Sequence, residues 1–157
     1  MLGKDMAMKI CLWAACGLAA LTLGGCATTS SIRMRDVVGI WYGSGIQPQN
    51  GSDPIHWMVE RRADGSFLFK SFYERECQIV PATIETGRWS MSNGIYTMIT
   101  ETVDGRAVDT ADGYFQDVCL IEAVSHEVVT VKSLTHGTRF VATRVGPDHL
   151  PVPGCGA

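Results

Sequence analysis

The sequence predicts an all-β domain, a single small eight-stranded antiparallel up-and-down barrel, with a β-sandwich as the alternative arrangement. Three observations carry this. From Asp36 onward, β-branched and aromatic runs recur at intervals of about 8–15 residues, with turn chemistry between them. Asp64-Gly65 and Asn93-Gly94 are strong signals for tight two-residue hairpins. No apolar stripe of helical period follows Cys26. Short connections make sequential strands pair antiparallel, and an eight-stranded meander hides its edges by closing on itself.

The elements follow in order. Val38–Tyr42 is the first strand, and a polar loop from Gln47 to Pro54 follows it. Ile55–Arg61 is the second, with Ile55, Trp57 and Val59 on one face. Asp64-Gly65 turns the chain into the third, Ser66–Tyr73. Glu74–Ala82 is charged and holds Cys77 and Pro81, so it reads as a connection. Thr83–Met91 is the fourth strand, Asn93-Gly94 the next hairpin, and Ile95–Val103 the fifth. Asp104-Gly105 breaks the chain before a loop to Asp112-Gly113. Tyr114–Val124, Val128–Leu134 and Thr138–Val145 complete the set, the last two joined through His136-Gly137. The barrel domain therefore spans residues 36–145, and the Pro- and Gly-rich tail, residues 146–157, is expected to be irregular.

The beginning of the chain has a different character. Lys4 and Lys9 precede an uncharged apolar run, Ile10–Leu23. That run is too short to cross a bilayer as a helix, which takes about 20 residues. It has the length and order of a secretory signal core. Met8-Lys9 directly before the run makes a tidier signal than Met1–Ala7, which adds Asp5, so translation is expected to start at Met8.

The run ends in Leu23-Gly24-Gly25-Cys26, which resembles the lipobox of bacterial lipoproteins. The resemblance implies that a diacylglyceryl group joins the Cys26 thiol and that the chain is cut before Cys26. The new amine then takes an acyl chain such as palmitate. Leu23 supplies the apolar contact to the peptidase, and Gly24 and Gly25 let the backbone enter it. A plain signal peptide or an uncleaved anchor is the alternative. Two or more acyl chains make the attachment stable where one is marginal. Ala27, rather than Asp, stands after the cysteine, which by the same resemblance implies an outer-membrane lipoprotein facing the periplasm. Residues 1–25 are then the signal peptide, and residues 26–35 a short lipidated tether.

Composition narrows the partners. The whole chain carries a net charge of −3, and removal of Lys4, Lys9 and Asp5 leaves the remainder slightly more acidic. Without a basic patch, nucleic acid is not an expected partner. The remaining length suits one domain. Cys11 and Cys16 leave with the signal and Cys26 is taken by lipid, so Cys77, Cys119 and Cys155 remain as disulfide candidates. An exported protein can hold a disulfide, but three thiols cannot all pair. Their wide spacing, without a Cys-x-x-Cys element, does not suggest zinc.

Gly39-Ile40-Trp41 on the first strand resembles the Gly-x-Trp signature of lipocalins and lipocalin-like domains. Further stretches are similar to small bacterial lipocalin-like proteins. They are Asp64-Gly65-Ser66-Phe67, Gly87-Arg88-Trp89-Ser90-Met91 with Asn93-Gly94, and Gly137-Thr138-Arg139-Phe140 through Arg144-Val145. The resemblance implies that Trp41 packs at the closed end of the barrel with an arginine across it, Arg139 or Arg144. It also implies a disulfide from the tail to the region after the third strand, Cys77 with Cys155. Cys77 with Cys119 is the alternative, and Cys119, in mid-strand, otherwise reads as a buried thiol. The chain is shorter than a typical lipocalin and has no clear flanking helix.

No catalytic constellation emerges, and no cofactor or metal site is expected. His56, His126, His136 and His149 are not spaced as ligand pairs and read as surface or turn residues. Glu74, Glu76, Glu85 and Glu101 read as surface charge, and Ser44 lacks the surroundings of a nucleophile turn. The better candidates are apolar. By alternation Trp57, Phe67, Phe69, Trp89 and Ile99, with Val59 and Met91, face the interior and either line a ligand cavity or fill a core. Large residues on both faces of the first and sixth strands suggest an outer apolar patch, covered by a partner, the tail or the loop after the first strand. The expected function is a membrane-anchored, non-catalytic binding module for a small hydrophobic or amphipathic ligand. The alternative is a protein-interaction or inhibitor module of the cell envelope.

Overall fold

The computed structural model describes residues 32–46 and 54–154. They form an all-β fold of nine strands: β1 Gly39–Ile46, β2 Pro54–Arg61, β3 Ser66–Arg75, β4 Gln78–Ser92, β5 Ile95–Val103, β6 Arg106–Ala107, β7 Gln116–Val124, β8 Val128–Ser133 and β9 Arg139–Val145. Every pairing is antiparallel. The order β4-β3-β2-β1-β9-β8-β7-β5 closes through a β4–β5 pairing, giving a closed eight-stranded barrel, and β6 is a short extra strand beside β5. One continuous ring leaves no second sheet, so the sandwich alternative falls.

Turn chemistry sets the register. Asn93 and Gly94 both have positive φ, 52° and 77°, and join β4 to β5 in the paired left-handed geometry that matches strand twist. Asp104 and Gly105 do the same at 48° and 76°, so the expected chain break is a tight hairpin that creates β6. At the β2–β3 turn the Asp64 carboxylate accepts from Ser66 N at 2.8 Å and from Ser66 Oγ at 2.7 Å. These local bonds hold the Asp64 carboxyl below the usual carboxylate range.

Three segments differ from the sequence reading. Glu74–Ala82 is not a connection, because β3 and β4 continue to pair out to Arg75↔Gln78. Their turn is Glu76-Cys77, at φ 50° and 58°. Neither residue type advertises a left-handed backbone, so the hairpin carries no sequence signal. Pro81 is tolerated because β4 pairs with β5 only from Glu85 onward, leaving the Pro81 stretch paired on the β3 side alone. The sixth expected strand starts late, because Gly113–Phe115 is a 3-10 turn capped by Asp112, whose side chain accepts from Tyr114 N. Ahead of the barrel, part of the expected tether is a one-turn helix, α1 Met34–Val37, where Arg33 N donates to Asp36 Oδ2 at 2.8 Å.

The core is set by alternation. Trp41, Val59, Phe67, Trp89, Tyr96, Ile121, Val129 and Ala142 point inward and are buried. Val37 of α1, fully buried, joins them and closes that end, while Ile32 and Met34 pack against the cluster. The opposite end is the mouth, where β1–β2, β3–β4, β5–β7 and β8–β9 connect.

Candidate functional site

At the closed end, Trp41 lies opposite Arg144 in the β1–β9 register. The Arg144 guanidinium sits 4.2 Å from the centroid of the Trp41 ring. It also donates to three carbonyls: Val38 O and His126 O at 2.7 Å, and Asp36 O at 3.1 Å. Arg144 thus ties α1, the start of β1 and the β7–β8 turn together. The Trp41 indole N–H donates to Val37 O at 2.9 Å. Gly39 is needed here, since a Cβ would come within 2.3 Å of Arg144 Nη1 and the backbone stands at φ +129°. Of the two arginine candidates, Arg144 therefore crosses Trp41. Arg139 faces solvent and pairs with Glu122 in a two-bond fork, Nε–Oε2 2.8 Å and Nη2–Oε1 3.0 Å.

The interior candidates divide by depth. Phe67 and Trp89, 1% and 3% exposed, fill the core and offer no free wall. Trp57 and Phe69 stand nearer the mouth and are half-buried. Their rings stack with centroids 6.5 Å apart, and Phe140 meets Trp57 edge-on at 6.4 Å. Gly43 makes room for this wall, because a Cβ would come within 2.3 Å of the Trp57 ring. Ile99 departs from the expectation. On β5 the buried residues are Tyr96 and Thr100, with Met98 packed on the core, so alternation puts Ile99 on the outside. Both faces of β5 carry apolar side chains, so the pattern alone could not choose between them.

Sequence reasoning missed the polar groups of the interior. Glu85 is half-buried and accepts from Thr100 Oγ1 at 3.0 Å. Asp117, facing Met98 across β5 and β7, is open to solvent at the mouth. Desolvation pushes both carboxyls above the usual carboxylate range, although the Asp117 residue as a whole is exposed. A carboxyl raised in the folded state binds its proton more tightly there than in the unfolded chain, so it destabilises the fold as pH rises. Glu85→Gln should therefore raise the Tm at pH 7–8, and the gain should vanish below about pH 3, where the carboxyl is protonated in both states. A gain that persists in acid would point to packing instead of charge. Deeper in, Cys119 is a buried free thiol, and desolvation pushes its pKa up to about 11. That removes Cys119 from the disulfide candidates.

The outer wall holds a second polar cluster. Tyr42 Oη lies 2.6 Å from His56 Nδ1, and His56 Nε2 lies 3.0 Å from Glu74 Oε2. In the tautomer that carries the proton on Nε2, Tyr42 donates to Nδ1 and Nε2–H donates to Glu74. The tail completes the chain, since Gly154 N donates to Glu74 Oε1 at 2.9 Å and the His149 ring packs 4.7 Å from Tyr42. His56 and Glu74 are 4% and 8% exposed, which corrects their reading as surface or turn residues. They do point away from the barrel interior, but the tail covers that face. Burial raises the Tyr42 pKa, opposed by a hydrogen bond from Ser44. Beside the tail, an open cleft of about 540 Å³ is bordered by Met58, Phe72, Pro81, Ile84, His149 and Leu150.

Among the described residues no group of His, Cys, Asp and Glu is arranged to hold a metal ion. The lipobox residues Leu23, Gly24, Gly25 and Cys26, the cysteine Cys155 and most of the loop after β1 lie outside the described residues. No protein-family model matches the chain, and no curated protein matches it.

Proposed function

We propose that this chain is a bacterial lipoprotein, anchored through Cys26 at the periplasmic face of the outer membrane, whose lipocalin-like barrel binds a small hydrophobic or amphipathic ligand without catalysis. The observation that carries the reading is the Trp57–Phe69–Phe140 wall. It is a set of packed aromatic rings inside a closed barrel, left half-buried toward the mouth. The pairing of Gly39, Trp41 and Arg144 at the other end supports the lipocalin-like assignment.

A Cys77–Cys155 disulfide belongs to the same reading. Cys119 is free, and Gly154, next to Cys155 in sequence, is held by Glu74, close to the turn that carries Cys77. A cross-link there would also hold the left-handed Glu76-Cys77 turn in place.

A protein-interaction role is the second reading. Tyr114 is 86% exposed and Leu134 49%, both in connections at the mouth. An envelope protein is the partner it implies.

Mass spectrometry of the full chain, expressed in a bacterial host and extracted in mild detergent, tests these statements together. The denatured mass should lack residues 1–25, carry the acyl groups and show the deficit of two hydrogens for one disulfide. The native mass should contain a further discrete ligand that is lost on denaturation. An unlipidated mass would overturn the anchor. A bare native mass with no ligand would move the reading to protein partners.

A further inference from the structure

The point at which the chain enters the barrel is fixed. α1 is docked at the closed end by its fully buried Val37 and by the bond from the Trp41 indole to Val37 O at 2.9 Å. The Arg144 guanidinium, on Asp36 O and Val38 O, clamps it further. Ile32, the first described residue, packs against the core cluster at this same end. Six residue steps separate Ile32 from Cys26, so the chain between them reaches about 20 Å when fully extended. The barrel wall is taller. β5, nine residues at about 3.4 Å each and tilted by about 40°, rises about 23 Å, and the mouth connections stand higher still. A lipid on Cys26 therefore lies within reach of the closed end and cannot come level with the mouth.

The two ends also differ in charge. Among the described residues, the mouth connections hold four carboxylates, Glu76, Asp104, Asp109 and Asp112, against one arginine, Arg106, and all five are exposed. At the closed end the α1 segment and the turns balance three arginines, Arg33, Arg35 and Arg62, against three carboxylates, Asp36, Asp64 and Glu127. An anionic lipid surface repels the mouth and not the closed end. Arg33 and Arg35 are exposed, and they stand where the chain leaves for the anchor, within the short range over which such charges act.

From reach and charge together we infer that the closed end is the membrane-facing surface of the protein, and that the mouth opens away from the bilayer into the aqueous compartment. The partner of the surface around Arg33 and Arg35 is the phospholipid headgroup layer that holds the Cys26 acyl chains. This rests on the lipoprotein reading above and adds the direction in which its barrel opens. A ligand then enters and leaves across water, from a soluble donor or a facing membrane. It does not slide into the barrel from the lipids that hold the anchor. Tyr114 and Leu134, exposed at the mouth, stand where such a donor can reach them.

The test uses the full chain, expressed in a bacterial host, extracted in mild detergent and reconstituted into vesicles of phosphatidylethanolamine and phosphatidylglycerol. A fluorophore is attached at Ala63→Cys or Glu127→Cys in the closed-end turns, or at Ala111→Cys or Thr135→Cys at the mouth, all four positions being exposed. The unsubstituted protein gives the labelling background. Lipids with a nitroxide on the headgroup then quench each probe at short range. Both closed-end probes should be quenched at least about twofold more than both mouth probes, because the ends stand about 23 Å apart. Equal quenching at the two ends, as for a barrel lying on its side, overturns the orientation and leaves the anchor standing. So does stronger quenching at the mouth, and so does a vesicle-bound protein quenched at neither end. A protein whose mass lacks the acyl groups and that stays out of the vesicle fraction overturns the anchor itself. With two positions at each end, one poorly folded variant does not protect the proposal.

Discussion

Trp41→Ala should lower the stability of the barrel by about 3–5 kcal/mol, the range for removing a fully buried large aromatic. Trp41 is wholly buried, at the centre of the closed end. Its removal takes away three things: the ring that packs the core, the bond from its indole N–H to Val37 O, and the surface under the Arg144 guanidinium. The surroundings can hardly collapse into the gap. Arg144 is held in place by three backbone carbonyls, and Gly39 is already in close approach to it. A domain of this size has only about 5–15 kcal/mol in all, so the variant should be marginal. Trp41→Phe keeps a ring and loses the hydrogen bond, so it should cost much less. Urea denaturation measures both. A loss below about 1 kcal/mol for Trp41→Ala would show that the closed end does not depend on this residue.

Glu74→Ala should cost roughly 3 kcal/mol. It strips the acceptor from a buried donor, His56 Nε2–H, and from a part-buried one, Gly154 N–H, and an unsatisfied buried group costs about 1–3 kcal/mol. The control is Glu60→Ala. Glu60 also forms a short ion pair, with Arg62 at 2.8 Å, but both partners are substantially exposed, so the loss should stay below about 1 kcal/mol. Depth, and not bond length, separates the two. Glu74→Ala should also release the tail, read as faster hydrogen exchange at the Gly154 amide. Unchanged exchange there, with a stability loss no greater than that of Glu60→Ala, would show that the tail is held by other contacts.

The strands were legible because they are governed by local chemistry. Ile95–Val103 lies where the sequence places it, bounded by Asn93-Gly94 and Asp104-Gly105, whose left-handed backbones are written in their residue types. The β3–β4 hairpin was not legible. Glu76 and Cys77 adopt the same backbone without the same chemistry, so a charged stretch with a proline reads as a loop. The same distinction governs the candidate site. Trp57 and Phe69 are found by alternation, but alternation cannot tell a filled core from a wall, and Phe67 and Trp89 belong to the core. Between Arg139 and Arg144, register decided what residue type could not, since only the β1–β9 pairing sets Arg144 against Trp41.

The sequence by itself determined that the chain makes antiparallel strands and where most of them turn, because strand period and turn backbone depend on near neighbours. Tertiary structure alone decided that the ring closes between β1 and β9, the first strand and the last, and that Ile99 points out. It also decided that Arg61 is buried without a counter-ion among the described residues and that the tail covers His56 and Glu74. Those outcomes depend on what residues distant in the chain bring to one place. Burial, unlike periodicity, is a property of those neighbours and not of the residue itself.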